Sequence, residues 1–297
     1  VKFIRDLFGK RRVTRVSSNW SDFNFPSDVT EPEAVGVFSS SDISSAWSAV
    51  YMASVLQNVY PSIPVHFVTH SSVAELAGFL PVTPQMHIYT GDPGSVDPEI
   101  PEGVLMFSPQ PEDSLLRFVE KASPLACVST QKNPAVNIIV KIGSDTVLPH
   151  SIYELMKVLK MEADTAWKPV VPGVLAEKAS SVLSPVSHRT LPYILATEAA
   201  ANVLEKKRAE VPLKIVLVDG KTTVIPPETS VGLLAAMVAG ASAMVTTDRN
   251  LWIHARALGI PVIGLDRKGV FSGWGGEPAP GDTMFLEQWA TLIRVGW

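Results

Sequence analysis

The sequence predicts an α/β protein built from two doubly wound, Rossmann-like domains. Three observations carry this reading. From residue 34 onward, short apolar runs alternate with helical stretches, the pattern of a parallel sheet covered by helices. The alternation pauses at "KPVVPG", residues 168–173, and then begins again. A chain of 297 residues is also long enough for two domains of ordinary size.

In chain order, residues 1–15, "VKFIRDLFGKRRVTR", set Lys2, Arg5, Lys10, Arg11, Arg12 and Arg15 against one acid, Asp6. Phe3, Ile4, Leu7 and Phe8 add an apolar stripe at helical spacing. Such an arm, residues 1–16, suits peripheral contact with an anionic membrane. A solvated basic tail, or a helix docked on the body, accounts for the same pattern. The basic excess is confined to this arm while the whole chain is net −4, so no nucleic-acid partner is expected. Polar, turn-rich residues 17–33 read as a linker, which sets segment 1–33 apart.

The N-terminal domain, residues 34–168, opens with "AVGVF" as a buried strand. A Ser-rich turn follows, then a helix with Trp47, Val50, Tyr51 and Val55 on one face. "IPVHFVTH", "SSVAELAGFL" and "MHIYTG" read as strand, helix and strand. "GVLMFSP", "SLLRFVEKA" and "LACVS" repeat that order, and an amphipathic helix is expected around residues 151–161. In the C-terminal domain, residues 169–283, "LPYILATEAAANVLEKKRA" is expected to be helical. "LKIVLVDG" and "TTVIP" follow as strands and "SVGLLAAMVAG" as an Ala-rich helix. "SAMVTT", "DRNLWIHARALG" and "IPVIGL" complete a strand–helix–strand unit. A last helix in 284–297 is expected to pack back on the first domain.

The single cysteine, Cys127, excludes an intramolecular disulfide framework and a cysteine-built metal cage. It fits a reducing cytoplasm. No run of about 18 apolar residues predicts a membrane span, so a cytoplasmic protein, peripheral at most to the inner face of the membrane, is expected.

The chemistry gathers where strands hand over to helices. "MVTT" runs into Asp248, Arg249 and Asn250 at a helix start. Open α/β sheets bind ligands at that corner, because helix N–H groups and the macrodipole point outward there. An ordinary turn with Asp248 as N-cap uses the same residues. Asp42 stands at the matching corner of the first domain, behind Ser40 and Ser41, with the same two readings.

Taken in order, these stretches resemble glycosyltransferase family nine, the bacterial heptosyltransferases of lipopolysaccharide inner-core synthesis. The resemblance runs from about Ala34 to Gly276. It rests on "VGVFSSSDISSAW…LQNVYPSIPVHFV", on "PHSIYELMKVLKME", and on "RTLP" (residues 189–192) where the family has Lys-x-Trp-Pro. "LLAAMVAGASAMVTTDRNLWIHARALGIPVIGL" and the loop "GVFSGWGGEPAPG" complete it. The resemblance implies the B-type glycosyltransferase architecture, with the two domains facing a central cleft. It implies inverting, metal-independent transfer with no cofactor. The donor would be a nucleotide-diphosphate sugar, ADP-linked in the best-known members, and the acceptor a lipid-linked saccharide.

By the same resemblance Asp42 is the general base, and Ser40 and Ser41 meet the acceptor. Arg189 takes the place of a phosphate-binding Lys; guanidinium pairs with phosphate bidentately. Asp248, Arg249 and Asn250 replace an Asp-Thr-Gly whose N–H groups meet the diphosphate, and Ser230 and His254 complete the donor side. The sequence departs from the family in four places. Asn250 stands where a Gly lets phosphate approach the backbone. Ile253 stands where the family has His, with His254 one residue later. The strand and loop before the phosphate Lys are not recognisable in "SSVLSPVSHR", and a Lys near the first strand is absent around Val35–Phe38. A catalytically inactive binding protein of the same build is therefore a second reading. A PIN-type nuclease is a third: "MVTTDRNLWIHARALGIPVI" resembles the end of that fold, with Asp145, Glu177 and Asp248 as the metal-holding acids.

Overall fold

The computed structural model describes residues 13–15, 32–95, 100–101, 104–142, 148–159, 161, 164–183, 193–198, 200–202, 214–217 and 229–265. The chain divides into two compact units, Val1–Pro169 and Val170–Trp297.

Among the described residues the first unit holds seven strands: β1 (Val13–Arg15), β2 (Val35–Phe38), β3 (Val65–His70), β4 (Gln85–Tyr89), β5 (Leu105–Phe107), β6 (Ala126–Ser129) and β7 (Ile138–Val140). Their order is β1-β7-β6-β5-β2-β3-β4. The pairings from β7 through β4 are parallel, whereas β1 runs antiparallel to β7 with Val13 opposite Val140. The chain thus winds outward from β2 through β3 to β4, then returns to lay β5 on the other side of β2. This reversal opens a crevice between β2 and β5 at their carboxyl ends, the place where open sheets take ligands.

Among the described residues three α-helices belong to this unit: α1 (Ile43–Val59), α2 (Ser114–Ala122) and α3 (His150–Val158). α1 is enclosed on every side from Ser45 to Leu56, wider than the single face expected. It packs on β2 and β3, on the short 3₁₀ helix that follows β3 (Ala74–Phe79), and on α3. Trp47 meets Phe79 edge-on at 5.4 Å, and Tyr51 meets Trp167 at 5.1 Å. α2 puts Leu115, Phe118, Val119 and Ala122 into a cluster with Phe38, Val68, Met106 and Cys127.

Two expectations change here. "SSVAELAGFL" forms a single 3₁₀ stretch, Ala74–Phe79, in place of a full helix. Gly78 and Pro81 leave too little chain for α-helical turns to propagate. Val13–Arg15, expected inside a free basic arm, form the edge strand β1.

The second unit holds α4 (Gly173–Leu183), β8 (Tyr193–Ala196), β9 (Lys214–Leu217), α5 (Val231–Ala239), β10 (Ala243–Thr246), α6 (Arg249–Ala257) and β11 (Val262–Gly264). The order is β11-β10-β8-β9, all parallel. Tyr193–Ala196 therefore form a central strand where a helix over 191–209 was expected. Four apolar residues carry no periodicity that separates strand from helix; here Ile194, Leu195 and Ala196 are buried between two neighbours. Helix begins only after Thr197, where Ala201 N–H donates to Thr197 O. The Tyr193 hydroxyl donates to Met237 O at the end of α5, and a Cβ on Gly240 would come within 2.6 Å of it. Leu195, Met237, Val238, Met244, Leu251 and Ala255 form the core, with Ala179 and Leu183 of α4. This sheet also reverses, between β8 and β10.

The candidate residues Arg189 and Asp145 and, of the membrane arm at 1–16, residues 1–12 and 16 lie outside the described residues, as do the "TTVIP" strand, the loop at 270–281 and the last helix at 284–297.

Candidate functional site

In the first unit the crevice between β2 and β5 is built by two strand-to-helix loops. After β2 the backbone turns through Ser39–Asp42 into α1. Asp42 adopts an extended conformation and its Oδ1 accepts the N–H groups of Ser44 at 2.8 Å and Ser45 at 3.1 Å. The base candidate is therefore the N-cap of its helix, and both capping bonds fall on one oxygen, Oδ1. Ser40, only 1% exposed, accepts the Asp42 N–H at 3.2 Å. Its hydroxyl donates to Glu112 Oε1 at 2.7 Å. Ser41 is exposed at the turn. The Ser45 hydroxyl accepts Ser40 N–H and donates to Gln110 O. The β2–α1 corner and the β5–α2 loop are thus tied together by two side chains.

The neighbouring strand ends add to this crest. Ser39 Oγ and Thr69 Oγ1 lie 2.8 Å apart, and the Tyr89 hydroxyl donates to Ser39 O. Burial, with the Glu112 charge adding to it, pushes the Tyr89 phenol up to about 12, so it stays a donor. His70 Nδ1 accepts Ser72 N–H at 3.2 Å, which leaves the ring proton of the neutral form on Nε2. Asn133, from the loop after β6, donates to Glu112 O. Glu112, Tyr89 and Asn133 were not singled out from the sequence. Only the strand order shows that β5 returns beside β2, and no local motif carries that order.

The second unit repeats the device. Asp248 caps α6, its Oδ1 accepting Asn250 N–H at 2.7 Å and Leu251 N–H at 3.0 Å. Thr246 Oγ1 accepts Asp248 N–H, and Thr197 at the end of β8 accepts Thr247 N–H at 2.9 Å. Thr197, fully buried, spans the reversal between β8 and β10. It too was missed, because its strand was read as helix. Asp248, Arg249 and Asn250 are exposed. Ser230 is the exposed N-cap of α5, accepting Leu233 N–H.

His254 stands differently from the rest of the donor set. Its ring is 1% exposed on α6, and burial lowers its pKa to about 4, so it is neutral at ordinary pH. Ile253 is buried beside it.

The two corners share one electrostatic consequence. A helix N-terminus attracts anions through free N–H groups and the dipole. Here each N-terminus already holds its own carboxylate, so the second and third N–H groups of α1 and α6 are not free for phosphate. Glu177, the acid a nuclease would need at a strand end, stands on the exposed side of α4. Among the described residues no three His, Cys, Asp or Glu side chains gather as a metal cluster, and no helix is long and apolar enough to cross a membrane.

No protein-family model matches the sequence, and no curated protein matches it. Solved structures do. A glycosyltransferase family 9 protein from Veillonella parvula is similar at a TM-score of 0.62 and 12% identity, over 89% of this chain and 90% of that one. E. coli heptosyltransferase WaaC with ADP is similar at 0.60 and 12% identity, over 87% and 98%. E. coli ADP-heptose lipopolysaccharide heptosyltransferase II is similar at 0.56 and 12% identity, over 88% and 98%. At that identity the likeness is one of fold, and it spans both units. The chain has the fold of the family nine glycosyltransferases, two Rossmann-like units each with an acid capping the helix at a strand end.

Proposed function

We propose that the protein is a heptosyltransferase-like glycosyltransferase that moves a sugar from a nucleotide-diphosphate donor to a saccharide acceptor. The observation that carries this reading is the pair of matched corners, Asp42 after β2 and Asp248 after β10. They lie in a fold shared over nearly the whole chain with enzymes named for ADP-heptose. In this reading the first unit binds the acceptor and the second binds the donor, without metal and with inversion.

The acceptor hydroxyl gives its proton to Asp42 as its oxygen bonds to the anomeric carbon. The bond from that carbon to the diphosphate breaks with its electron pair, and a nucleoside diphosphate leaves. Oδ1 of Asp42 is held by two N–H groups, which fixes the carboxylate and assigns the proton to Oδ2. Arg189 and Arg249 supply positive charge for the leaving diphosphate. Because Asp248 fills the N-terminus of α6 with its own charge, its carboxylate suits sugar hydroxyls, and the phosphates depend on the arginines. A lipid-linked acceptor and membrane contact through residues 1–12 extend the same reading.

One observation favours a second reading. Both key acids serve as helix caps, so a binding protein that holds the nucleotide sugar without turning it over keeps every bond described. The test measures nucleoside diphosphate released from ADP-, GDP- and UDP-sugars in the presence of saccharide acceptors. Release that depends on acceptor and is lost in Asp42→Asn supports the transferase. Saturable binding with no release under any pairing supports the binding protein.

A further inference from the structure

We propose that the protein pairs with a second copy of itself along the outer edge of β4, two antiparallel β4 strands joining the sheets of two first units across a two-fold axis. The pairing does not depend on the transferase reading, and its failure leaves that reading standing.

β4 is the last strand of its sheet, and among the described residues none pairs with its outer side. The opposite edge of the sheet is closed by the chain itself, through β1 on β7. Natural edges are blunted by charge, by Pro or by a bulge. β4 has none of these. From Leu76 to Gly91 the sequence carries no Lys, Arg, Asp or Glu, and Gln85–Tyr89 contains no Pro. Its register on β3 runs without a break from His66 opposite Gln85 to His70 opposite Tyr89. The large hydrophobic side chains exposed in the first unit, among the described residues, are Val82 at 60% and Ile88 at 52%. One stands just before this strand and the other within it. Val82 is held in place, since Gln57 of α1 donates Nε2–H to its carbonyl oxygen at 2.8 Å.

The backbone sets the register of the pair. Ser71 N–H donates to Tyr89 O, so Tyr89 turns its main-chain groups towards β3. Alternation along the strand turns those of Gln85 and His87 the same way, and those of Met86 and Ile88 outward. In an antiparallel pair, opposed residues with such outward groups exchange two N–H···O bonds. Setting Met86 opposite Ile88 of the second copy, and Ile88 opposite its Met86, therefore makes four bonds about one axis. His87 then faces its own counterpart as a non-hydrogen-bonded pair, with Cα atoms about 4.5 Å apart. Met86 and Ile88 of both copies fall on one face of the joined sheet as two apolar cross-strand pairs, and no Lys, Arg, Asp or Glu of the strand meets its like. A neutral strand that matches itself about a two-fold axis points to a second copy as the occupant.

Sedimentation of the full chain over about a hundredfold range of concentration should show monomer giving way to dimer. Ile88→Lys charges the edge and should weaken association about tenfold or more, with the unfolding temperature of dilute protein unchanged. Val174→Lys, at an exposed valine of the second unit, should associate as the parent does. His87→Cys should give a disulfide-linked dimer on mild oxidation, because the two residues face each other and the native Cys127 is buried. Should loss of the bond to His66 keep that variant from folding, the comparison with Ile88→Lys decides alone. A parent that stays monomeric throughout overturns the inference; a lowered unfolding temperature of Ile88→Lys in that case assigns the edge to a segment of the same chain. A dimer that persists undiminished in Ile88→Lys overturns it, as does a folded, dimeric His87→Cys that does not cross-link.

Discussion

Asp42→Asn separates catalysis from capping, because the structure states what each role requires. The two capping bonds, 2.8 Å from Ser44 N and 3.1 Å from Ser45 N, both end on Oδ1. Asparagine offers a carbonyl oxygen at that place, so the bonds survive. What disappears is the charge at the N-terminus of α1, worth about 0.3–1 kcal/mol. Asp42→Ala loses the bonds as well, at about 0.5–2 kcal/mol. A general base contributes at least about a hundredfold, or about 2.7 kcal/mol of barrier. The Asn variant should therefore fold nearly as the parent does and lose turnover about a hundredfold, with donor affinity unchanged. Urea unfolding reads the first quantity, and release of nucleoside diphosphate with titration of the donor reads the others. Turnover in the Asn variant within threefold of the parent would refute the base. Loss of turnover only in proportion to loss of stability would do the same.

Asp248→Asn keeps the α6 cap and removes a charge near the donor. It should leave free nucleoside diphosphate bound as well as before or about fivefold tighter, while weakening the nucleotide sugar, on the order of 1 kcal/mol each way; paired calorimetric titrations check this. Thr197→Val orphans the Thr247 N–H and should cost about 1–3 kcal/mol, seen as a lower urea midpoint. His254 has its folded pKa lowered from 6.5 to about 4, so its contribution to stability is full above about pH 6.5 and is lost as pH falls towards 4. The loss amounts to about 3 kcal/mol, and unfolding midpoints across that window should slope less in His254→Gln. Deleting residues 1–12 should abolish co-sedimentation with anionic vesicles while sparing β1, whereas deleting 1–16 also strips that strand from β7 and should lower the unfolding temperature.

Apart from β7 and β8, the parallel strands of both units were legible because each is a short apolar run between turn residues, and α2, α5 and α6 because they open at a clear polar corner. Asp42 and Asp248 were legible for the same reason: an acid after a strand and before an apolar helix marks a corner wherever the strand lies in the sheet. Strand order left no local trace. Glu112 and Thr197 matter because β5 returns beside β2 and β10 beside β8, which follows from tertiary packing alone. Tyr193–Ala196 went unread because four buried apolar residues fit a helix and a central strand equally. The Val-Thr-Arg strand was hidden by its charge, since a basic stretch reads as a solvated arm until a partner strand is known.

The central claim is that the protein binds a nucleotide-diphosphate sugar. Titration calorimetry of the full chain against ADP-heptose, and against ADP-, GDP- and UDP-hexoses, measures it without needing an acceptor or turnover. One saturable site for at least one of these donors, weakened about tenfold or more by Arg249→Ala together with Arg189→Ala, is the predicted result. No heat and no rise in unfolding temperature with any of them at millimolar concentration would contradict it.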